Sequence, residues 1–515
     1  MSCSAWSGRV IATAPASGIE KRVMIGLIRA LQHARYHVSR RAFASFRFRL
    51  HRAAGNCFPR WPMPANARNK QANVNGNGRV GYFIWQYPVL SQTFVQREVT
   101  ALKESGLSVV VISDIPPDGE FQSHGASGAG PSVKYLHAMD EQMLGRYKRY
   151  FFFRSPLLCL NLFVYVLCHG YHGYKSFDFD RTVFAKAIAL AALLKESGIN
   201  HIHSPWADNC ALIALLASRL LGVSYSVQAR AHDIHRKTYL NGLVERLTNA
   251  DFVITNTWYN ASHIKALIGA PRAGRLHVIH NGVRLDQFQP TRRENSSSTL
   301  RMLCVARLIE QKGLMCLLKA CKLLADKGYA FTCEIIGGPE SSLFMNYYVA
   351  LKKLHRNLAL EDRVFFLGTQ PFERVMEKYR ETDVFVLPSV IAQDGSRDIT
   401  PNVLIEAMAM KLSVISTTVT GIPEIVEDGV SGILVPPNNE NALTEAIIKL
   451  IHEPNLRSEL GENARKRIEE KFDIRKNIGR YIDLFSGKPT PCDAGIALSQ
   501  RPADGRSSAN EATYR

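Results

Sequence analysis

Short apolar runs alternate with longer helix-forming stretches along most of this chain. A first series of runs lies between Arg79 and Ile279, and a second series lies between Arg301 and Val435. Such alternation is typical of parallel α/β sheets, because each parallel strand must be joined to the next by a crossover, which is usually a helix. The pattern therefore predicts an α/β protein with two doubly wound parallel-sheet domains.

A polar stretch between the two series sets the predicted domain boundaries. Residues 286–299 are mostly polar and contain Pro290, which is typical of an interdomain linker. We predict a first Rossmann-like domain over residues 79–285 and a second over residues 300–486. Residues 487–515 are polar and contain Gly, Ser and Pro, so we expect a disordered tail there.

Positive charge is concentrated at the N-terminus. The 515-residue chain has a net charge of +19, and residues 1–78 hold 13 of its 64 Lys and Arg but only Glu20 among its 45 acids. The rest of the chain is only mildly basic, so no folded face for nucleic acid is predicted. We expect residues 1–78 to be disordered or to lie on an anionic membrane surface. A transit peptide, or translated sequence upstream of a start at Met24 or Met63, is the alternative.

The cysteines and the longest apolar stretch bear on the compartment. Ten cysteines are scattered without a Cys-x-x-Cys pair or zinc-ligand spacing, which predicts reduced, buried thiols in a cytoplasmic protein. Residues 150–168 are the longest apolar stretch, but Arg154, Pro156 and Asn161 interrupt it. A spanning helix needs roughly 20 mostly apolar residues. The stretch therefore predicts a helix that is buried in the first domain or lies at the membrane interface.

A strand, a loop and a helix follow one another near residue 400. The run Val384–Pro388 reads as a buried strand, and Asn402 begins a helix-forming run after a polar loop. Free N–H groups and the helix dipole favour an anion at such a helix N-terminus. Asp398 and Glu406, eight positions apart, flank that predicted site.

These two carboxylates resemble a known family signature. Asp398, Glu406 and the following Ala407-Met-Ala409 resemble the carboxylate-x7-carboxylate motif of retaining glycosyltransferases of family 4, in which Glu is usual at both ends. Further along the chain, two short segments resemble other motifs of the family, although both also suit ordinary turns. They are Thr420–Glu424 and Asp428–Gly432. The resemblance covers roughly residues 80–487 and implies the GT-B fold, with two Rossmann-like domains facing across a cleft.

Two cations follow the first strand of the second series. Arg307 ends that strand and Lys312 precedes a helix, and ligands of doubly wound sheets bind outside the carboxyl ends of strands. Their segment resembles the family's Gly-Arg-Leu-x-x-x-Lys-Gly motif, with Ala306 in place of the first Gly. The resemblance implies that Arg307 and Lys312 bind the donor diphosphate, where positive groups stabilise the leaving charge. The alternative is a pair of solvated surface charges.

The resemblance also assigns roles in the loop before the helix. It implies that Asp398 accepts hydrogen bonds from the sugar and that Glu406 accepts them from the ribose. Asp398 could instead only cap the helix. Main-chain N–H groups near the helix start would meet the sugar and phosphate. The donor-binding residues implied are Glu406, Ile399, Thr400, Pro401 and Asn402.

The first series contributes acceptor-side candidates. Residues 85–98 resemble the Pro-x-x-Ser-Glu-Thr-Phe-x-x-x-Glu segment of exopolysaccharide transferases of the colanic-acid and amylovoran type, with Gln92 in place of the Glu. This places Ser91 and Thr93 on the acceptor side, although both also suit a plain helix cap. Trp206, after another predicted strand, is assigned to the acceptor-side lining.

One more segment carries candidate catalytic residues. Many family members carry a His three residues before an Asp, and here Arg230 stands at that place before Asp233, while His232 is shifted by two. We take Arg230 and His232 as catalytic candidates and Asp233 as an acceptor-side residue. Asp178-Phe-Asp180 reads as a helix start rather than a metal site. With Arg307 and Lys312 present, we expect no metal and no cofactor.

The resemblance implies a retaining, hexosyltransferase-class enzyme of exopolysaccharide or capsule biosynthesis. The donor would be a nucleotide sugar, and the acceptor a glycan or lipid-linked glycan. We expect a bacterial protein in the cytoplasm, with the inner membrane surface as a partner and no nucleic acid. Two alternatives stay open: a catalytically idle sugar-binding protein, and a GT-B phosphorylase or epimerase.

Overall fold

A computed structural model describes most of the chain from residue 78 onward. The described residues are 78–89, 93–117, 133–169, 177–235, 242–269, 274–290, 299–339 and 345–488. Residues 1–77, most of the predicted linker, nearly all of the predicted tail, Ser91 and Gln92 lie outside them, so the expectations for those segments stay predictions.

The first half of the described chain forms a seven-stranded sheet in the order β3-β2-β1-β4-β5-β6-β7, and every neighbouring pair is parallel. Residues 80–84 of its first strand are all buried, as expected for a parallel strand covered on both faces. The strands are β1 (Arg79–Gln86), β2 (Ser108–Ile115), β3 (Val133–Tyr135), β4 (Ile199–Ser204), β5 (Ser224–Ala229), β6 (Val253–Thr255) and β7 (Leu276–Val278).

The second half forms a six-stranded sheet in the order β10-β9-β8-β11-β12-β13, again with parallel pairs only. The strands are β8 (Leu300–Val305), β9 (Phe331–Ile336), β10 (Val364–Gly368), β11 (Val384–Val386), β12 (Ser413–Thr417) and β13 (Ile433–Val435). The predicted α/β class with two doubly wound parallel sheets is therefore confirmed.

Helices connect the strands of both sheets. Those that accompany the first sheet are α1 (Thr93–Glu104), α2 (Glu141–Arg154), α3 (Pro156–His169), α4 (Phe177–Glu196), α5 (Asn209–Leu221), α6 (His232–His235), α7 (Leu243–Thr248) and α8 (Trp258–Ile268). Those that follow are α9 (Leu314–Asp326), α10 (Met345–Asn357), α11 (Phe372–Glu381), α12 (Asn402–Ala409), α13 (Ile422–Ile425), α14 (Glu440–His452), α15 (Pro454–Lys471) and α16 (Ile474–Phe485).

The last helix crosses back to the first domain. In α16, Ile474, Ile478, Tyr481 and Phe485 recur at helical spacing and are buried in the hydrophobic core around β1 and α1. The Nε2 atom of Gln228, on β5, donates to the Tyr481 hydroxyl at 2.6 Å. The two domains are therefore joined by a packed helix as well as by the chain between them.

The apolar stretch of residues 150–168 forms parts of two helices. α2 ends at Arg154 and α3 begins at Pro156, because a proline lacks the N–H that a continuous helix would need there. Leu162 is buried, whereas Phe152 and Phe153 are exposed, so this segment both fills the domain and presents an apolar surface. Within the described part of the chain, none of the helices combines the length and apolar character that crossing a membrane requires.

Candidate active site

The site lies where the strand order of the second sheet reverses. From β8 the chain adds strands β9 and β10 on one side, and from β11 it adds β12 and β13 on the other, so the winding direction changes between β8 and β11. Ligands of open α/β sheets bind at such a switch point. The loop after β8 carries Arg307 and Lys312, and the loop after β11 carries Asp398. Residues that were predicted from separate motifs therefore belong to neighbouring strand ends.

Lys312 and Asp398 form a buried ion pair. The Lys312 Nζ atom lies 2.7 Å from Oδ1 and 2.9 Å from Oδ2 of Asp398, and both residues are 8% exposed. The Ser389 hydroxyl donates to Oδ2 of the same carboxylate at 2.7 Å. The N-cap residue of α12 is Pro401, and among the described residues Asp398 contacts Lys312 and Ser389 rather than the first turn of this helix. Because removing one partner of a buried pair leaves an uncompensated charge, the two groups depend on each other.

A glycine allows the Lys312 loop to reach its place. Gly313 has φ of +66°, and a Cβ atom there would lie 1.8 Å from the carbonyl oxygen of Pro388. Only a residue without a side chain fits this approach of backbone to backbone. The glycine therefore holds the loop after β8 directly against the end of β11.

Glu406 reaches across to the first domain. Its Oε1 atom lies 2.6 Å from Nη2 of Arg97, which is on α1, and Tyr379 donates to its Oε2 atom at 3.3 Å. Burial raises the pKa of Tyr379, and the charge of Glu406 raises it further, so this phenol stays a donor. The Nη1 atom of Arg97 is buried without a hydrogen-bond partner among the described residues.

The loop that leads into α12 is held against the first domain. Asn256 donates to the Thr400 hydroxyl at 3.0 Å, and Asn281 donates to Oδ1 of Asn402 at 3.2 Å. Arg397 donates to the hydroxyl of Tyr259 at 3.2 Å. Two predicted donor-binding residues, Thr400 and Asn402, therefore contact first-domain side chains at the domain boundary. Of the others, Ile399 and Pro401 are buried.

Glu424 makes a further contact between the domains. Its two carboxylate oxygens accept from the main-chain N–H groups of Trp258 and Tyr259, each at 2.8 Å. These N–H groups belong to the first turn of α8, so the carboxylate of one domain caps a helix of the other. Burial raises the pKa of Glu424 to about 7, although the two N–H groups lower it.

Arg230 is buried among polar side chains of the first domain. Its guanidinium forms an ion pair with Glu98, in which Nη2 lies 2.6 Å from Oε2. It also donates to Oδ1 of Asn281 at 2.6 Å and to Oε1 of Gln228 at 2.8 Å. The guanidinium lies over the ring of Phe94. Burial lowers the pKa of Arg230, but Glu98, together with the smaller effects of Tyr481 and Tyr82, more than offsets this, so its pKa is raised. This geometry favours a positioning role, because the guanidinium is committed to protein groups.

The remaining first-domain candidates have different settings. Asp233 is fully buried, and its carboxylate accepts from the N–H groups of Arg230, Ala231 and Ala207. In this conformation it joins the loops after β4 and β5 and does not face an open surface. Trp206 is half-buried, and the centre of its ring lies 5.6 Å from that of Phe94 in an edge-to-face arrangement.

Thr93 opens α1, and His232 lies on the short helix α6. Both therefore stand at the start of an element in the first domain. The catalytic role of His232 and the acceptor-side roles of Thr93 and Ser91 stay predictions.

Several site residues were not predicted from the sequence. Some lie inside recognised motifs. Arg97, for example, lies in the segment 85–98, one helical turn after Thr93, and so on the same face of the helix. Others, such as Tyr379 and Asn256, have no local signal. The missed residues are Arg97, Glu98, Gln228, Asn256, Asn281, Tyr379, Ser389 and Glu424. Across the part of the chain that the structure describes, no cluster of three or more His, Cys, Asp and Glu is arranged to hold a metal ion.

Comparison with known proteins agrees with this arrangement. Residues 287–467 match the family model described as "Glycosyl transferases group 1". This part of the chain is therefore similar to the group 1 glycosyl transferases. The matched range includes Arg307, Lys312, Asp398 and Glu406.

Two similar proteins extend over most of the chain. The amylovoran biosynthesis glycosyltransferase AmsK of Erwinia amylovora is 27% identical over 379 residues, covering 72% of this chain and 90% of AmsK. The protein assigned as colanic acid biosynthesis glycosyltransferase WcaL in Escherichia coli (strain K12) is 26% identical over 424 residues, covering 77% of this chain and 96% of WcaL.

Solved structures share the architecture. A glycosyltransferase of Rickettsia africae ESF-5 superposes with a TM-score of 0.58 at 17% identity, covering 83% of this chain and all of that one. Anabaena Alr3699/HepE in complex with UDP gives a TM-score of 0.60 at 17% identity, covering 79% and 99%. The GT-B fold that the motifs implied is confirmed.

Proposed function

We propose that this protein is a retaining glycosyltransferase of family 4 that moves a hexosyl group from a nucleotide sugar to a glycan or lipid-linked glycan. The observation that carries the proposal is the buried Lys312–Asp398 pair at the switch point of a group 1 glycosyl transferase domain. The names of the similar proteins, which refer to amylovoran and colanic acid, support exopolysaccharide biosynthesis as the process. A nucleotide-sugar donor is supported by the Anabaena structures, which hold UDP in one complex and UDP-glucose in another.

The donor diphosphate would lie between the two cations and the N-terminus of α12. Arg307 and Lys312 would bind its oxygens, and the main-chain N–H groups at the start of α12 would add further donors. When Lys312 turns to the diphosphate, Asp398 becomes free to accept hydrogen bonds from the sugar hydroxyls. The ion pair thus keeps both groups in place until a donor separates them.

The transfer itself would take place on one face of the sugar. The bond between the anomeric carbon and the diphosphate oxygen breaks while the acceptor oxygen forms its bond to the same face of that carbon. The acceptor proton passes to the departing phosphate oxygen, so charge and atoms balance. Lys312 and Arg307 stabilise the negative charge that develops on the leaving group, which preorganised cations do well in a buried site.

This reaction requires no metal ion or cofactor, because the two cations meet the diphosphate charge. We expect dialysis against EDTA to leave the transfer rate unchanged. The protein would act in the cytoplasm at the inner face of the membrane, where a lipid-linked acceptor would be available.

Calorimetry on the full chain tests the donor site. We expect one of UDP-glucose, UDP-galactose, UDP-N-acetylglucosamine and GDP-mannose to bind, and Lys312→Ala to abolish that binding. Lys319→Ala is the matched control, because Lys319 lies on the following helix with its side chain 52% exposed. If the folded protein bound none of the four donors, the idle sugar-binding alternative would replace this proposal.

Product analysis tests the reaction class. The anomeric configuration of the product, measured by NMR against that of the donor, should be retained. Release of a sugar phosphate on addition of inorganic phosphate would instead indicate the phosphorylase alternative.

A further inference from the structure

A cluster of large apolar side chains is exposed on the helices α2 and α3. Phe152 is 58% exposed, Phe153 is 79% exposed and Leu157 is 62% exposed. Exposed apolar residues that occur singly are ordinary, but here three large ones fall within six positions, and the ring centres of Phe152 and Phe153 are 6.3 Å apart, which favours an interaction site. We call these three residues, together with the basic residues around them described below, the α2–α3 patch.

The patch is carried by anchored helices rather than by a loose loop. Phe151 and Leu162, on the same two helices, are each only 2% exposed. Tyr147 donates to Oε1 of Glu196 on α4 at 3.0 Å, and the Lys195 ammonium lies 3.8 Å from the ring centre of Tyr150. Since the inward faces of α2 and α3 are fixed in this way, the outward apolar side chains are held out in a defined arrangement.

Beyond Glu141 in its first turn, the charged residues of α2 are all basic, and α3 carries no acid. From Gln142 to His169 the chain contains no acidic residue. Its four Lys and Arg residues are all exposed on α2, and they are Arg146, Lys148, Arg149 and Arg154. Aromatic side chains beside a basic face are the composition of segments that lie in the interface of an anionic bilayer.

We propose that the α2–α3 patch docks the first domain onto an anionic lipid surface, with Phe152, Phe153 and Leu157 inserted among the acyl chains and the four basic side chains at the head groups. The lengths and composition of α2 and α3 suit a segment that lies on the membrane and not one that crosses it. The inference rests on the proposed function only for its purpose, which is access to a lipid-linked acceptor. Binding to lipid requires no transferase activity.

Vesicle flotation with the full chain tests the proposal. The protein should float with vesicles of phosphatidylcholine and phosphatidylglycerol in equal parts and not with pure phosphatidylcholine vesicles. The double variant Phe152→Ser/Phe153→Ser should lower the partition coefficient about tenfold or more. The matched control is Met345→Ser/Val349→Ser, which removes two exposed apolar side chains of α10 (43% and 57% exposed) and should leave partitioning unchanged.

A second measurement separates this patch from the basic N-terminal residues. Hydrogen–deuterium exchange of the unmodified chain should show that anionic vesicles slow exchange in peptides from residues 141–157 and leave peptides from 345–357 unchanged. Binding that persists in the double variant, without protection of 141–157, would assign the lipid contact to residues 1–78 and overturn the proposal. Self-association that is lost in the double variant, without vesicle binding, would overturn it in favour of a second copy of the chain.

The two proposals can fail separately. Donor binding measured by calorimetry should be the same in the double variant and the unmodified chain, because the patch contains none of the donor-site residues. Vesicle binding without any donor binding would leave the lipid inference standing and reject the transferase, and the reverse result would do the opposite.

Discussion

At the scale of single residues, an ion pair joins two side chains of the proposed donor site. Lys312 and Asp398 are buried and contact each other, so the environment of each charge includes the opposite one. A buried pair of this kind need not stabilise the fold, because the cost of removing two charges from water offsets their attraction. Its role would be functional, because it holds a cation and a carboxylate at the place where a nucleotide-sugar donor would contact both.

The Lys312–Asp398 pair yields a stability prediction. Lys312→Met alone leaves Asp398 buried without its cation and should lower the free energy of unfolding by about 3–5 kcal/mol. Lys312→Met/Asp398→Leu removes both charges and should recover most of that loss while donor binding stays absent. Urea denaturation and calorimetry measure the two properties. Equal instability of the single and double variants would show that the pair contributes by more than charge balance.

Arg97 yields a prediction on donor affinity. If the ribose must bond to Glu406, the donor competes with Arg97 for that carboxylate, and Arg97→Ala should tighten donor binding by roughly 1 kcal/mol, about fivefold. Arg284→Ala is the control, because its ion pair with Glu104 is exposed and such pairs contribute little. Weaker donor binding in Arg97→Ala, measured by calorimetry, would instead place Arg97 on the donor.

At the scale of elements, the site depends on how closely two loops approach. The loop after β8 and the loop after β11 come from strands that are hydrogen-bonded neighbours, although about 80 residues separate them in sequence. Gly313 permits the closest backbone contact between these loops. Backbone geometry, and not only side-chain chemistry, therefore places Lys312 beside Asp398.

Gly313→Ala tests this element. The new methyl group would meet the Pro388 carbonyl oxygen in addition to a strained positive φ, so we expect loss of donor binding and a Tm well below that of the unmodified protein. Gly328→Ala is the matched control, because Gly328 has φ of +77° but open space around its Cβ position. The control should cost only about 1–2 kcal/mol for the backbone conformation. Similar effects of both substitutions would mean that strain alone, without the contact to Pro388, governs the loop.

At the scale of the whole molecule, several contacts join the two domains. The Glu406–Arg97 ion pair, the Glu424 cap on α8 and the packing of α16 all connect residues far apart in sequence. Because the carboxylate of Glu424, whose pKa is raised, makes one of these contacts, we expect the stability of the arrangement to depend on pH.

The sign of that pH dependence follows from the raised pKa of Glu424. Its pKa is about 7 in the folded protein and 4.5 in its ordinary state, so below about pH 4.5 the group is protonated in both states and no penalty arises. As pH rises from 4.5 to 7 the folded state holds a proton that the unfolded state has lost, and the free energy of unfolding falls. The loss should be on the order of 2–3 kcal/mol and should level off above pH 7.

Glu424→Gln isolates this effect. The variant is neutral at every pH, so the difference in the free energy of unfolding between the two proteins should change across pH 4.5–7 and be constant above it. Urea denaturation at several pH values gives that difference, and titration of the histidines cancels in it. A difference that does not depend on pH would show that Glu424 titrates near its ordinary pKa.

Much of the fold could be predicted because the signals are local. Runs such as Val384–Leu387 are apolar at every position, which only a strand or a buried helix allows, and the helices between them showed the α/β class. β3 was missed, because Val133–Tyr135 is too short to carry a periodic signal. The break between α2 and α3 follows from Pro156, but the outward orientation of Phe152 and Phe153 does not.

The sequence alone determined the two sheets, the family resemblance and the identities of Arg307, Lys312, Asp398 and Glu406, since each depends on residues a few positions apart. Tertiary structure alone decided that Lys312 contacts Asp398, that Arg97 occupies Glu406 and that Glu424 caps a helix of the other domain. The physical reason is range: propensity and periodicity act over one or two turns, whereas these contacts depend on how strands align and how two domains pack.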